Sequence, residues 1–143
     1  MPTDFRDGKT FPRRGREPLG EFLWLARVFD KARAEQNHTQ DGYIYPCPID
    51  RGVMRRWGIS PSDFSTALAD HTVDDQILAW MSARVAPERI RAANAWLRWL
   101  NIALDWQDVE EGVPGAGLRL WKELGLAVFV AALVVLFEWF LRR

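Results

Sequence analysis

One cysteine, two histidines and no net charge narrow the reading of this chain before any motif is sought. A single thiol, Cys47, cannot close an intrachain disulfide, so burial rather than cross-linking must hold the fold, and an oxidising compartment is not implied. One cysteine and two widely spaced histidines, His38 and His71, make no metal-ligand pattern. Neither a metal nor a cofactor is expected. The balance of 19 basic and 19 acidic residues leaves no global field to draw nucleic acid. The one basic cluster is short and carries no nucleic-acid reading motif. The start, Met1-Pro-Thr-Asp-Phe-Arg-Asp7, lacks the apolar centre of a signal peptide. No internal repeat or low-complexity segment is present.

What the chain does contain is a long apolar stretch near its end. From Leu124 to Leu141 only Glu138 carries charge. At about 1.5 Å per residue a helix over this stretch spans roughly 27 Å, close to the ~30 Å hydrocarbon core of a bilayer. Trp121 and Trp139 stand where an interfacial aromatic belt would place them, with Arg119 and Lys122 at one end and Arg142 and Arg143 at the other. Glu138 and Arg142 are spaced for a pair at headgroup depth. The pattern predicts a membrane-spanning helix, and the missing signal predicts a cytoplasmic N-terminal domain with the C-terminus outside. A helix lying in the interface and a buried core helix are the alternatives.

The expected fold is mainly α, a small helical domain followed by one C-terminal transmembrane helix. Residues 1–17 read as a basic N-terminal arm: residues 1–16 hold five basic and two acidic groups, with the cluster Pro12-Arg-Arg-Gly-Arg16. Residues 18–105 read as a helical cytoplasmic domain. Its first helix is predicted over 18–36, with Leu19, Phe22, Leu23, Ala26 and Phe29 on one face and Arg27, Lys31 and Arg33 on the solvated side. The segment Asp41-Gly-Tyr-Ile-Tyr-Pro-Cys-Pro-Ile-Asp50 reads as a loop, because its two prolines forbid helix across Cys47. Asp50 is placed to cap a helix over 51–57, and Ser60-Pro-Ser-Asp63 and Thr72-Val-Asp-Asp75 open two more. Pro87 opens a last helix over 87–104, with Ile90, Ala93, Leu97, Leu100 and Leu104 as its core stripe and Trp96, Trp99 and Trp106 off it. Residues 106–117, acidic and then rich in glycine, read as a linker, and residues 118–143 as the anchor. Residues 61–117 hold four basic and nine acidic groups, so the arm and this segment offer surfaces of opposite sign.

The strings Asp4-Phe-Arg-Asp-Gly8, Pro12-Arg-Arg-Gly-Arg16, Lys31-Ala-Arg33, Asp41-Gly-Tyr-Ile-Tyr-Pro-Cys-Pro48 and Trp57-Gly-Ile59 resemble an uncharacterised family of small bacterial helical proteins, a domain of unknown function. The resemblance covers roughly residues 4–105. It implies a helical fold and no particular chemistry, and it makes the C-terminal apolar segment an addition to the family's domain.

The function expected from these features is that of a membrane-anchored accessory subunit. It docks a cytoplasmic helical domain onto a larger integral membrane protein complex. By analogy this is a photosynthetic reaction centre with its light-harvesting ring, or a respiratory complex. The bilayer and that complex are the expected partners, and Arg13, Arg14, Arg16, Trp106, Trp121, Trp139, Arg142 and Arg143 the expected contacts. A tethered regulatory or small-ligand binding module is one alternative. A tethered enzyme using Tyr43, Tyr45 and Cys47, with His38, His71 or Asp50, is another; more of the signals point away from an enzyme.

Overall fold

A computed structural model describes residues 3–141, with side chains described as far as Val135. The helices are α1 (Leu25–Gln36), α2 (Pro48–Trp57), α3 (Pro61–Ala67), α4 (Asp74–Ser82), α5 (Pro87–Trp99), α6 (Asn101–Glu110) and α7 (Ala116–Leu141). Among the described residues the one β feature is an isolated bridge between Leu19 and Phe22, so the fold is mainly α. The chain forms two compact units, residues 1–99 and residues 100–143.

The first unit is built round α1. Nine of its residues are buried, including Asp30 and also Arg27 and Lys31, two of the residues that the periodicity had assigned to solvent. That expectation is corrected for a physical reason: the three charges meet partners inside the fold and need no water. The helix also begins later than predicted. Gly20 takes a left-handed φ of 58°, the Leu19–Phe22 bridge closes a tight loop, and Trp24 itself sits at φ 71°. A left-handed tryptophan is a strained conformation costing on the order of 1–3 kcal/mol. Its neighbours hold it there. The Trp24 amide donates to the Gly15 carbonyl at 2.9 Å, and the buried ring packs against Gly15 so closely that a Cβ there would lie 2.1 Å from ring carbons.

The remaining helices of this unit cover α1 by ordinary amphipathic burial. Val53, Met54 and Trp57 of α2, Phe64 of α3, Ile77 and Met81 of α4, and Ile90, Ala93 and Leu97 of α5 are buried. Gly52 lets α2 approach α5: a Cβ at this position would stand 2.3 Å from the Trp96 ring. Arg56 lies over the same ring at 4.0 Å. Asn94 of α5 ties the loop before α1 on both sides, donating to the Glu21 carbonyl at 2.7 Å and accepting from the Leu23 amide at 3.1 Å. α2 starts at Pro48, with Cys47 rather than Asp50 at its N-cap; Asp50 occupies the third helical position.

The second unit is the α6–α7 pair. The expected linker at 106–117 is mostly helix, since α6 runs to Glu110 and only residues 111–115 form the turn. Gly112 and Gly115, at φ 68° and 76°, supply its left-handed positions. No glycine or proline marks the break between α5 and α6 at Leu100. Leu104, Ala116 and Leu120 are buried in this unit. Arg119 of α7 reaches the nearly buried carboxylates of Asp105 and Asp108 on α6, at 3.4 and 2.9 Å.

That ion pair bears on the predicted anchor. Among the described residues, no helix is long and apolar enough to cross a membrane. The first turns of α7 carry Arg119, Lys122 and Glu123 and belong to the α6–α7 pairing. The single-pass, inner-membrane placement is therefore corrected. The aromatic and basic flank assigned to its far end falls outside what is described: of Trp139 the backbone alone, and of Arg142 and Arg143 nothing.

Gly15→Ala should cost about 1–3 kcal/mol, as over-packing does, in a urea denaturation followed by tryptophan fluorescence. A loss under about 0.5 kcal/mol, typical of a bland surface site, would mean that the Gly15–Trp24 contact does not limit this position.

Candidate functional site

The basic arm is strapped onto α1. The Phe5 amide donates to the Thr39 carbonyl at 2.9 Å, Thr39 Oγ1 donates to the Thr3 carbonyl, and Phe5 meets Tyr43 edge to face. Arg13 is the clasp. Its guanidinium bonds Asp30 of α1 at 2.8 Å and Asp74 of α4 at 2.6 Å, and its own amide donates to Asp30 at 2.8 Å. Burial alone would lower the Arg13 pKa, but the hydrogen bonds to Asp30 and Asp74 outweigh it and raise the value, so the group stays charged. Burial pushes the Asp30 carboxyl above the usual carboxylate range, and the Arg13 bonds pull the other way. Arg14 and Arg16 are half-buried and also engaged. Arg13, at least, is committed to its own fold.

A second buried cluster lies where the extended segment enters α2. Asp50 is fully buried and accepts from Lys31 Nζ at 2.6 Å, from Trp24 Nε1 at 2.8 Å and from the Cys47 amide at 2.8 Å. One carboxylate thus serves α1, the strained residue that precedes it, and the N-terminus of α2. A buried charge is tolerable when it is both paired and hydrogen-bonded, as here. Arg27, 1% exposed, donates to the Pro12 and Arg13 carbonyls, with its guanidinium 5.5 Å from the Trp24 ring and 5.7 Å from the Tyr43 ring.

The Tyr43, Tyr45 and Cys47 segment is held in this framework. Cys47 is a free thiol at the N-cap of α2, and its amide donates to Asp50 at 2.8 Å. Tyr45 donates to the Pro61 carbonyl at 3.4 Å and accepts from Ser65 at 3.5 Å. Burial pushes its phenol up to about 12, away from what a catalytic base needs. His71 is tied through Nδ1 to the Ala67 carbonyl at 2.7 Å, and no hydrogen bond among the described residues joins Cys47 to His38 or His71. The nucleophile–base geometry that covalent catalysis requires is not formed by these groups.

Trp106, Trp121 and Phe129 of the second unit are presented outward. Trp121 is 74% and Trp106 58% exposed, and Trp106 Nε1 is fixed by Glu110 at 2.8 Å. From Leu118 to Val135 the exposed surface of α7 is almost wholly apolar. What sequence reasoning missed is the inner electrostatics. Arg27, Asp30 and Lys31 stand in a helix that also carries Arg33, Glu35 and Gln36, so by sequence they read equally well as a solvated stripe. The available signal was the width of the apolar stripe around Trp24, Leu25 and Val28, which leaves little of the helix for water.

Asp50→Asn should cost about 3–5 kcal/mol, because it leaves Lys31 buried without its counter-charge. Thermal and urea unfolding measure this; a loss near that of an exposed ion pair would place Lys31 in water instead. Tyr45 gives a pH prediction. Its folded value, about 12, lies above its ordinary 10. The associated stability is fully present below pH ~10 and lost as pH rises toward ~12. In a Tyr43→Phe variant the remaining phenolate absorbance reports Tyr45 alone, and a transition near the ordinary value would contradict its burial.

No curated protein matches the chain. Nothing in the fold or in the comparisons points to a photosynthetic, reaction-centre or light-harvesting assembly, and that assignment falls together with the predicted span. A family model does match, over residues 9–113, from the arm that clasps α1 to the turn after α6, leaving α7 outside it. By that match, which covers most of its length, the chain belongs to the family described as Domain of unknown function (DUF5069).

Proposed function

We propose that the chain is an accessory docking module that carries its helical first unit to a partner protein through α7. The observation supporting this is the apolar surface of α7. Leu118, Trp121, Leu126, Val128, Phe129, Val130, Leu133, Val134 and Val135 are each between 49% and 74% exposed. At roughly 100 Å² apiece they present on the order of 1,000 Å². A free monomer rarely shows a contiguous apolar patch above a few hundred Å², and a stable protein interface needs about 800 Å² from each side.

The distribution of these residues defines the occupant. Leu126, Phe129, Val130 and Leu133 share one helix face, while Val128 and Val135 lie on others. A helix apolar on several faces is covered by several elements. The fitting partner is an apolar groove between helices of another protein, entered by α7 as a helix enters a groove. Arg119, Lys122 and Glu123 form a polar collar at the start of the helix, and Trp121 beside it suits an anchoring contact. The second unit lends the family's domain an address rather than a reaction.

Phe129→Asp should weaken the complex about 30-fold or more, the loss expected of a central anchor. A photocrosslinker at residue 129, with residue 91 of α5 as control, identifies the partner in cells that make the protein. Reconstitution from purified components at fixed stoichiometry supports the reading. Crosslinking to lipid alone, or flotation with neutral phosphatidylcholine vesicles without any protein partner, overturns it.

A further inference from the structure

An open groove of about 600 Å³ lies in the first unit between α3 and α4. Its volume is in the range of ligand sites. Asp63, Thr66, Asp70, His71, Trp80 and Arg84 line it. The helices place these groups for local reasons. Asp63 stands at the start of α3, capped by Ser60, and Asp70 and His71 follow the end of that helix. Trp80 is in α4, and Arg84 follows one turn later.

The polar lining is nearly all of one kind. Asp63 and Asp70 present carboxylate oxygens, and Thr66 a hydroxyl. His71 donates from Nδ1 to the Ala67 carbonyl at 2.7 Å, and in that tautomer Nε2 carries a lone pair that can accept. Trp80 adds an aromatic wall, steadied edge to face by Phe64 and by the tilted His71 ring. Arg84 is the one cation of the lining, and it lies on this wall: its guanidinium carbon is 4.5 Å from the Trp80 ring centre, and Nη1 donates to the Trp80 carbonyl at 3.3 Å. An acceptor-rich groove with an aromatic face selects a donor-rich cation, and the chain's own Arg84 displays the stacking mode.

We propose that this groove binds a guanidinium or alkylammonium cation, stacked on Trp80 and hydrogen-bonded to Asp70 and His71, with Arg84 as the internal occupant that the ligand displaces. The proposal concerns the first unit and is independent of how α7 docks. The displacement has a signature of its own. Arg84→Ala uncovers the Trp80 face and tightens binding, whereas Asp70→Asn removes an acceptor and weakens it. Each change should be about two- to fivefold, the scale of an exposed ion pair.

The test is a titration of the full chain, followed by the indole N–H signal of Trp80 in a nitrogen-15 correlation spectrum. Agmatine serves as the free-cation probe, an acetyl-Ala-Arg-Ala-amide peptide as the protein-borne one, and the citrulline peptide as the uncharged control. Saturable shifts with either cation and none with citrulline are expected; preference between agmatine and the peptide tells a small-molecule ligand from a partner's arginine. Arg91→Ala, an exposed charge on α5, controls for net charge. If Arg84→Ala perturbs folding, Arg84→Gln takes its place. No saturable shift with either cation overturns the proposal, and so does an equal gain from Arg84 and Arg91 substitution, since the effect is then bulk charge alone.

Discussion

The carboxylate of Asp50 is the constraint on which the first unit turns. It is fully buried, and its bonds to Lys31, Trp24 and the Cys47 amide reach three segments that lie apart in sequence. Each of those groups would be costly alone. Lys31 would be an unpaired buried ammonium, the Trp24 indole an unsatisfied donor, and the α2 N-terminus short of an acceptor for its first amides. Together they satisfy one another. The bond to the Trp24 indole also helps hold a bulky residue in left-handed backbone, and that backbone sets where α1 begins.

The arm depends on α1 in turn. Arg13 joins Asp30 of the central helix to Asp74 of α4, and Arg27 donates to the carbonyls of Pro12 and Arg13. A segment with the composition of a solvated tail is therefore part of the wall of the unit. The family match begins within this segment, at residue 9, consistent with its being domain rather than appendage. The basic cluster that invites a docking role in the linear sequence spends its central charge internally.

The second unit follows a different logic. Arg119 with Asp105 and Asp108 fixes the start of α7 to α6, and the two glycines of the turn allow the reversal. Beyond that ion cluster the helix carries large apolar side chains that stand exposed from Leu126 to Val135. Their exposure is what makes a docking role the natural reading, and it is confined to a segment outside the family's domain.

Local order along the chain determined a good deal by itself: mainly helical structure, the openings at Pro61 and Pro87, the stop at Gly58 and the glycine turn before α7. These features are legible because a proline ring, a capping hydroxyl or a missing Cβ acts within a few residues. The apolar stripe of Ile90, Ala93 and Leu97 was legible too, since helical period alone places it. Only tertiary structure decided that Arg27, Asp30 and Lys31 are interior, because a charge can be buried only when its partner arrives from elsewhere, here from positions 12, 13 and 50. The gathering of His71, Trp80 and Arg84 in one groove likewise depends on how α3 and α4 meet. The C-terminal apolar run was read as a membrane span, whereas among the described residues no helix is long and apolar enough to cross a membrane. Sequence carries the preferences of each segment; which charges find each other across the fold is a property of packing in three dimensions.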